Sequence, residues 1–197
     1  MKVTILFASV VFAGASIVSA WAQSSDEGQT KRQPDTTKSA ASTSGTSTLN
    51  KMDSQFVTKA AQGGLAEVQL GQLAKDKGSS QAVKDFGDRM VTDHSQANND
   101  LKSIASSKGI TVPDAMDTKD KATYDRLSKL SGAQFDRAYM NTMVKDHQTD
   151  VTEFRKESQS AKDPDIKSFA SKTLPTLESH LEMARTTDRQ LGATSKK

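Results

Sequence analysis

The chain contains three histidines, His94, His147 and His180, and each stands on an apolar stripe with helical spacing. His94 falls in the series Val83, Gly87, Met90, His94, Ala97, Leu101, Ile104, with Phe86 alongside. His147 falls in Asp136, Met140, Met143, His147, Val151, Phe154, and His180 in Ile166, Ala170, Thr173, Leu177, His180, Ala184. A fourth stripe, Phe56, Ala60, Gly63, Glu67, Leu70, Ala74, carries a glutamate. Steps of three and four place each series on the inward seam of a helix bundle. An imidazole there is either a metal ligand or a core group satisfied by a hydrogen bond.

Each of Glu67, His94, His147 and His180 lies within about three residues of the midpoint of its helical segment, or roughly 5 Å along the axis. The four therefore meet at one level whichever helices run up or down. Leaving any of them buried and unpaired costs about 1–3 kcal/mol, and two arrangements avoid that cost. One is a single divalent transition metal ion (Zn, Mn, Fe or Cu) bound by Glu67, His94, His147 and His180, with Asp93, Asp136 and Asp146 as outer partners or alternative ligands. The other is a structural network of His–Glu hydrogen bonds. A thioether also lies one turn from each imidazole: Met90 before His94, Met143 before His147 and Met183 after His180. Such a set would select Cu(I), although methionine is also a common seam filler. Gly63 and Gly64 sit one turn before Glu67, where each costs a helix about 1 kcal/mol; they open space for a ligand or water, or admit a bulky neighbour such as Tyr139. No set of residues identifies a catalytic group or a reaction.

Four long helices are needed to position these residues. The first runs from about Asp53 to Lys77 and stops at Gly78. The second starts at Ser79 or Ser80 and ends at Lys108, with Gly109 as left-handed cap and Pro113 beyond it. The third opens on Ser131 and Gln134, a capping-box spacing, and runs to about Ser160. The fourth opens on Asp163-Pro164 and runs to Leu191 before Gly192. Proline at 175 removes a hydrogen bond inside it and should bend it. Sustained two-residue alternation is missing, so the fold class is all-α. The connection from Lys108 to Ser131 is long and holds a weaker helical piece at Asp117–Leu130, whereas the other two are short. That is the pattern of a ferritin-like four-helix bundle with a long crossover; spacing also admits a simple up-and-down bundle with an extra short helix.

Outside the bundle, Met1-Lys2, an apolar run from Val3 to Val18, and Ala20-Trp21-Ala22 read as a signal peptide over residues 1–22, cleaved before Gln23. Residues 23–50 are rich in Ser, Thr, Gln and Gly, bury too little apolar surface to order themselves, and read as a disordered linker. The bundle spans 51–192, and 193–197 is a flexible tail. Cleavage leaves no integral membrane span and a periplasmic or secreted protein. There is no cysteine, hence no disulfide and no lipid attachment at one. A formal charge of +3, from 27 basic and 24 acidic side chains intermixed along the chain, gives no basis for nucleic-acid binding. Homo-oligomerisation or an envelope partner is compatible with such helix surfaces.

Several local patterns carry a family resemblance: Phe56-Val57 with Ala60-Ala61, Gly64 and Glu67; Met90-Val91-x-Asp93-His94 and Met143-Val144-x-Asp146-His147; Phe135-Asp136 with Tyr139; and Leu174-Pro175 with Glu178 and His180-Leu181. Together they resemble the exported bacterial family catalogued as domain of unknown function 4142, over about residues 52–191. The resemblance implies a ferritin-like fold and export, and it supplies no activity. The Glu-x-x-His motif of ferritin-like dimetal proteins is absent, because Val91, Val144 and Leu177 stand three residues before the histidines. Three functions follow for testing: an envelope protein that binds or cycles one metal ion, a non-enzymatic stress or envelope-interaction protein, and a dimetal enzyme with unusual ligands.

Overall fold

A computed structural model describes residues 49–194. The expected signal peptide, nearly all of the expected linker and residues 195–197 lie outside the described residues. Among the described residues there are five helices: α1 (Lys51–Lys77), α2 (Gln81–Ser107), α3 (Thr118–Leu127), α4 (Gly132–Ser160) and α5 (Pro164–Thr194). Among the described residues there is no strand.

Local chemistry sets the helix ends. The Asn50 side chain accepts from the amides of Met52 and Asp53, Asp117 accepts from the Asp120 amide, and Asp163 accepts from those of Asp165 and Ile166, with Pro164 as first helical residue. Gly109 takes the left-handed conformation after α2, at φ 69°. Ser131 precedes α4 as expected, but its side chain makes no capping bond, so the Ser131–Gln134 capping box is not formed. Gly192 does not adopt a positive φ, and α5 continues through it to Thr194. Pro175 lies on the exposed side of α5, which runs through it unbroken.

Long-range polar contacts fix the topology. Asp53, in the first turn of α1, accepts from the amides of Lys162 and Asp163 in the α4–α5 turn. Asp136, in the second turn of α4, accepts from the amides of Ser79 and Ser80 in the α1–α2 turn and from the Ser79 hydroxyl. Lys108, at the end of α2, pairs with Asp163 and Asp165 at the start of α5, at 2.8 and 2.7 Å. So α1 and α5 run one way and α2 and α4 the other. The connection carrying α3 crosses the bundle from end to end, the ferritin-like arrangement.

Two apolar clusters fill the interior. One holds Phe56, Val57, Leu101, Phe154, Ile166 and Phe169 at the end where α1 begins. The other holds Leu70, Leu73, Phe86, Met90, Tyr139 and Met140 at the opposite end, where Leu127 anchors α3. Each large side chain so buried contributes about 1.5–3 kcal/mol. Helices α1 and α2 cross closely because both carry glycine at the contact. A Cβ on Gly71 would meet the Gly87 carbonyl at 2.7 Å, and one on Gly87 would meet that of Gly71 at 2.6 Å.

Candidate metal centre

Between the two apolar clusters lies a polar layer built from one residue of each long helix: Glu67 on α1, His94 on α2, His147 on α4 and His180 on α5. All four are buried, His147 and His180 completely. One nitrogen from each imidazole lies within 4.8 Å of one from each of the others. Ring centroids are 5.3 Å apart for His94–His180 and His147–His180, and 5.8 Å for His94–His147. The shared level expected from the helix midpoints is what brings them together.

The outer partner of each ring decides where its proton sits. His147 Nδ1 is 3.0 Å from the Met143 carbonyl oxygen, which can only accept, so Nδ1 carries the proton. His180 Nε2 donates to Asp93 Oδ2 at 2.8 Å. His94 Nδ1 donates to Glu67 Oε2 at 2.8 Å. In the neutral rings the lone pairs are then left on His147 Nε2, His180 Nδ1 and His94 Nε2. The first two face one another at 3.3 Å, and the third has no hydrogen-bond partner. Glu67 Oε1 is also without a hydrogen bond, although it lies 3.3 Å from His147 Nδ1.

The electrostatics match this geometry. Burial drives the His180 pKa down to about 4, with the neighbouring imidazoles adding to the effect and the Asp93 bond opposing it. Burial also lowers that of His147, against the pull of Glu67. Burial works against the charge on Glu67, but His94 and His147 outweigh it and hold its pKa near 2. Asp93 is likewise lowered, since its bonds from His180 and Arg89 exceed the effect of partial burial. The layer thus gives His94 and His180 a carboxylate each as hydrogen-bond partner, Glu67 and Asp93, the way carboxylates orient histidine ligands around a metal.

The other residues singled out by the sequence have distinct places. Asp93 touches the site through His180. Asp136 does not: its carboxylate is consumed by the α1–α2 turn, a correction to its reading as an outer partner or alternative ligand, because its position on the α4 stripe is the turn-facing end of that stripe. Asp146 lies beside His147 in sequence yet lines a cleft between α1, α3 and α4. Met90 and Met143 are fully buried in the apolar cluster with Phe86 and Tyr139, the environment of seam fillers. Gly64 makes room for Asn98, whose Oδ1 would lie 2.2 Å from a Cβ there, and not for Tyr139. A Cβ on Gly63 would meet nothing within 4 Å.

Asp150 went unremarked in the sequence. It is half-buried in the same cleft, and burial together with Glu67, Asp146, Glu153 and Asp120 raises its pKa well above the ordinary carboxylate value. Burial and Glu67 raise that of Asp146 to about 6. The signal was available: Asp146 and Asp150 are one turn apart on α4, on the flank of His147.

Comparison with known proteins bears on the fold and the family. Among solved structures, a DUF305 fragment from Deinococcus radiodurans superposes with a TM-score of 0.63 at 16% sequence identity, covering 74% of this chain and 98% of that one. The likeness is one of fold. No curated protein matches the chain. The family model described as "Domain of unknown function (DUF4142)" matches residues 38–187, nearly the whole described bundle, and the chain belongs to that family.

Proposed function

We propose that this protein is an exported cell-envelope protein that binds one divalent transition metal ion in the middle of its bundle, with His94, His147 and His180 as ligands. Glu67 and Asp93 orient His94 and His180. The free oxygen of Glu67 is available as a fourth donor. One observation carries the reading: a nitrogen of each of the three imidazoles lies within 4.8 Å of one from each of the others, and a fully buried one, His94 Nε2, has no hydrogen-bond partner. Tetrahedral zinc with Zn–N bonds of about 2.0–2.1 Å holds its nitrogens about 3.3 Å apart, and the His147–His180 pair already stands at 3.3 Å. Three imidazoles suit Zn, Cu, Fe or Mn less selectively than they exclude Mg and Ca.

The second reading is a structural hydrogen-bond network in a non-enzymatic stress or envelope-interaction protein. The continuous chain His147–His180–Asp93 favours it. That chain needs a proton between the two imidazoles, however, and burial disfavours the charge which such a proton brings.

Titration of metal-stripped protein with Zn, Mn, Fe and Cu separates the two. One equivalent of the preferred ion should bind and raise the melting temperature, by about 2.7 kcal/mol of stability at a hundredfold excess over Kd. His94→Ala should abolish the shift, whereas Glu67→Gln should weaken binding about 10–100-fold, as expected for a residue that orients a ligand. If none of the four ions moves the melting temperature, the network reading stands. Export is the remaining part of the proposal. Intact mass of protein recovered from outside the cytoplasm should correspond to a chain beginning at Gln23, and retention of Trp21 would make the leader an anchor instead.

A further inference from the structure

The mid-bundle layer is not sealed on all sides. A cleft of about 210 Å³ opens between α1, α3 and α4, and Glu67 lies on its inner wall. Its sides carry six carboxylates, Glu67 among them, against two lysines. Lys59 is engaged with Glu153 at 3.5 Å. Among the described residues, the side chains of Asp120, Asp146 and Asp150 line the cleft without an ion pair or hydrogen bond, and burial and the neighbouring carboxylates raise the pKa of each, a crowding that an entering cation relieves. A smaller cavity of about 40 Å³, room for a few water molecules, is lined by Glu67 and His94, and it shares Gly63, Glu67, Asp150 and the Lys59–Glu153 pair with the outer cleft.

Two observations show that this opening is more than a cluster of surface acids. Glu67 is 4% exposed, and its Oε1, on the boundary between cleft and histidines, has no hydrogen-bond partner. Gly63 stands in the interior of α1, where glycine costs about 1 kcal/mol relative to alanine, and packing does not require it, since a Cβ there would touch nothing. Gly64, Gly71 and Gly87 each make way for a neighbour. What Gly63 keeps clear is the wall common to both cavities.

We infer that divalent cations reach the histidine centre through this cleft, drawn in by Asp120, Asp146 and Asp150 and handed inward by Glu67, with Gly63 holding the passage open. The inference rests on the metal reading above. A cleft of one sign of charge concentrates counter-ions and raises association rates by about 10–1,000-fold, with strong dependence on ionic strength. The histidines are approached here past a carboxylate that has already given one oxygen to His94 and retains the other.

The test is stopped-flow loading of the metal-stripped full-length chain with Co²⁺, read by visible absorption, and release read by chelator chase. Replacing Asp146 and Asp150 together by Asn should slow loading about tenfold at low salt, and the difference should close at high salt. Neutralising two exposed acids on α2, Asp85→Asn with Asp100→Asn, changes net charge equally and should leave the rate within about twofold, because neither residue lines the cleft and the steering comes from charge focused within it. Gly63→Leu, whose Cβ meets no atom within 4 Å and which removes a helix-interior glycine, should slow loading and release alike, since narrowing a route leaves the affinity of its destination unchanged. If the parent binds cobalt and the cleft variants load at the parental rate, cations enter elsewhere and the metal reading survives alone. If the parent binds neither cobalt nor any of zinc, manganese, iron and copper, both are overturned.

Discussion

Asp53 and Asp136 at the ends of the bundle and Glu67 at its middle are all buried carboxyl groups, at 1%, 1% and 4% exposure, but their surroundings differ. The end residues are used up: Asp136 accepts three hydrogen bonds and Asp53 accepts from two amides, all from the opposite hairpin. Glu67 satisfies one oxygen through His94 and leaves the other open. Of the four buried side-chain polar atoms without a hydrogen bond among the described residues, two belong to Glu67 and His94, and a third, the Tyr139 hydroxyl, lies close enough to Glu67 that its pKa is raised by it as well as by burial. The fourth, Glu157 Oε1, belongs to the end of α4 near Asp53, so the contrast is between the clamping carboxylates, which are saturated, and the central layer, where most of the open atoms gather.

The largest effect expected from this contrast is on stability. Asp136→Ala strands three donors of the α1–α2 turn and should cost about 3 kcal/mol in urea unfolding, while the molecules still folded bind metal as the parent does. Glu67→Gln in metal-free protein should cost clearly less. The reverse ranking would break the comparison and make the centre the structural element.

A smaller effect lies in the pH dependence of the metal-free protein, where two groups of the central region act with opposite sign. His180 is depressed from 6.5 to about 4. Its neutral form stabilises the fold above pH 6.5, and that contribution, about 3 kcal/mol, is lost as the pH falls through about 4. Asp146 is raised from 3.8 to about 6. Its protonated form stabilises the fold below pH 3.8, and that contribution is lost as the pH rises through about 6. The two nearly cancel over one window. Asp146→Asn should therefore gain stability on the parent by about 2 kcal/mol between pH 4 and 6, uncovering the histidine slope in its own profile. A constant offset between the two profiles would place Asp146 in ordinary solvent.

The bundle was legible because its signals are local and periodic: the stripes of three and four, the glycine after α2, Asp163-Pro164 before α5. The level of Glu67 and the histidines followed from helix lengths alone. What sequence could not distinguish was a seam acid that faces a metal layer from one that faces a turn. Asp136 occupies the same stripe as His147, yet its partners are Ser79 and Ser80, 57 and 56 positions away. Spacing within one helix carries no information about such a pair. The glycine contact between Gly71 and Gly87 was hidden for the same reason, as each glycine alone is only a weak spot in a helix. The direction of the lone pairs required Met143, Asp93 and Glu67 to be placed in three dimensions, since a ring turns according to its outer partner.

The end clamps have a topological consequence. Each is made between hairpins, not within one: the start of α1 holds the turn of α4 and α5, and the start of α4 holds the turn of α1 and α2. Neither clamp depends on the two hairpins belonging to the same chain. Two copies that exchanged hairpins would therefore retain every clamp bond, and each centre would draw Glu67 and His94 from one copy and His147 and His180 from the other. The crossover is what opposes exchange, because α3 is docked by the fully buried Leu127. Leu127, with Tyr124 packed on the same cluster, makes α3 the latch that keeps each bundle's two halves in a single polypeptide.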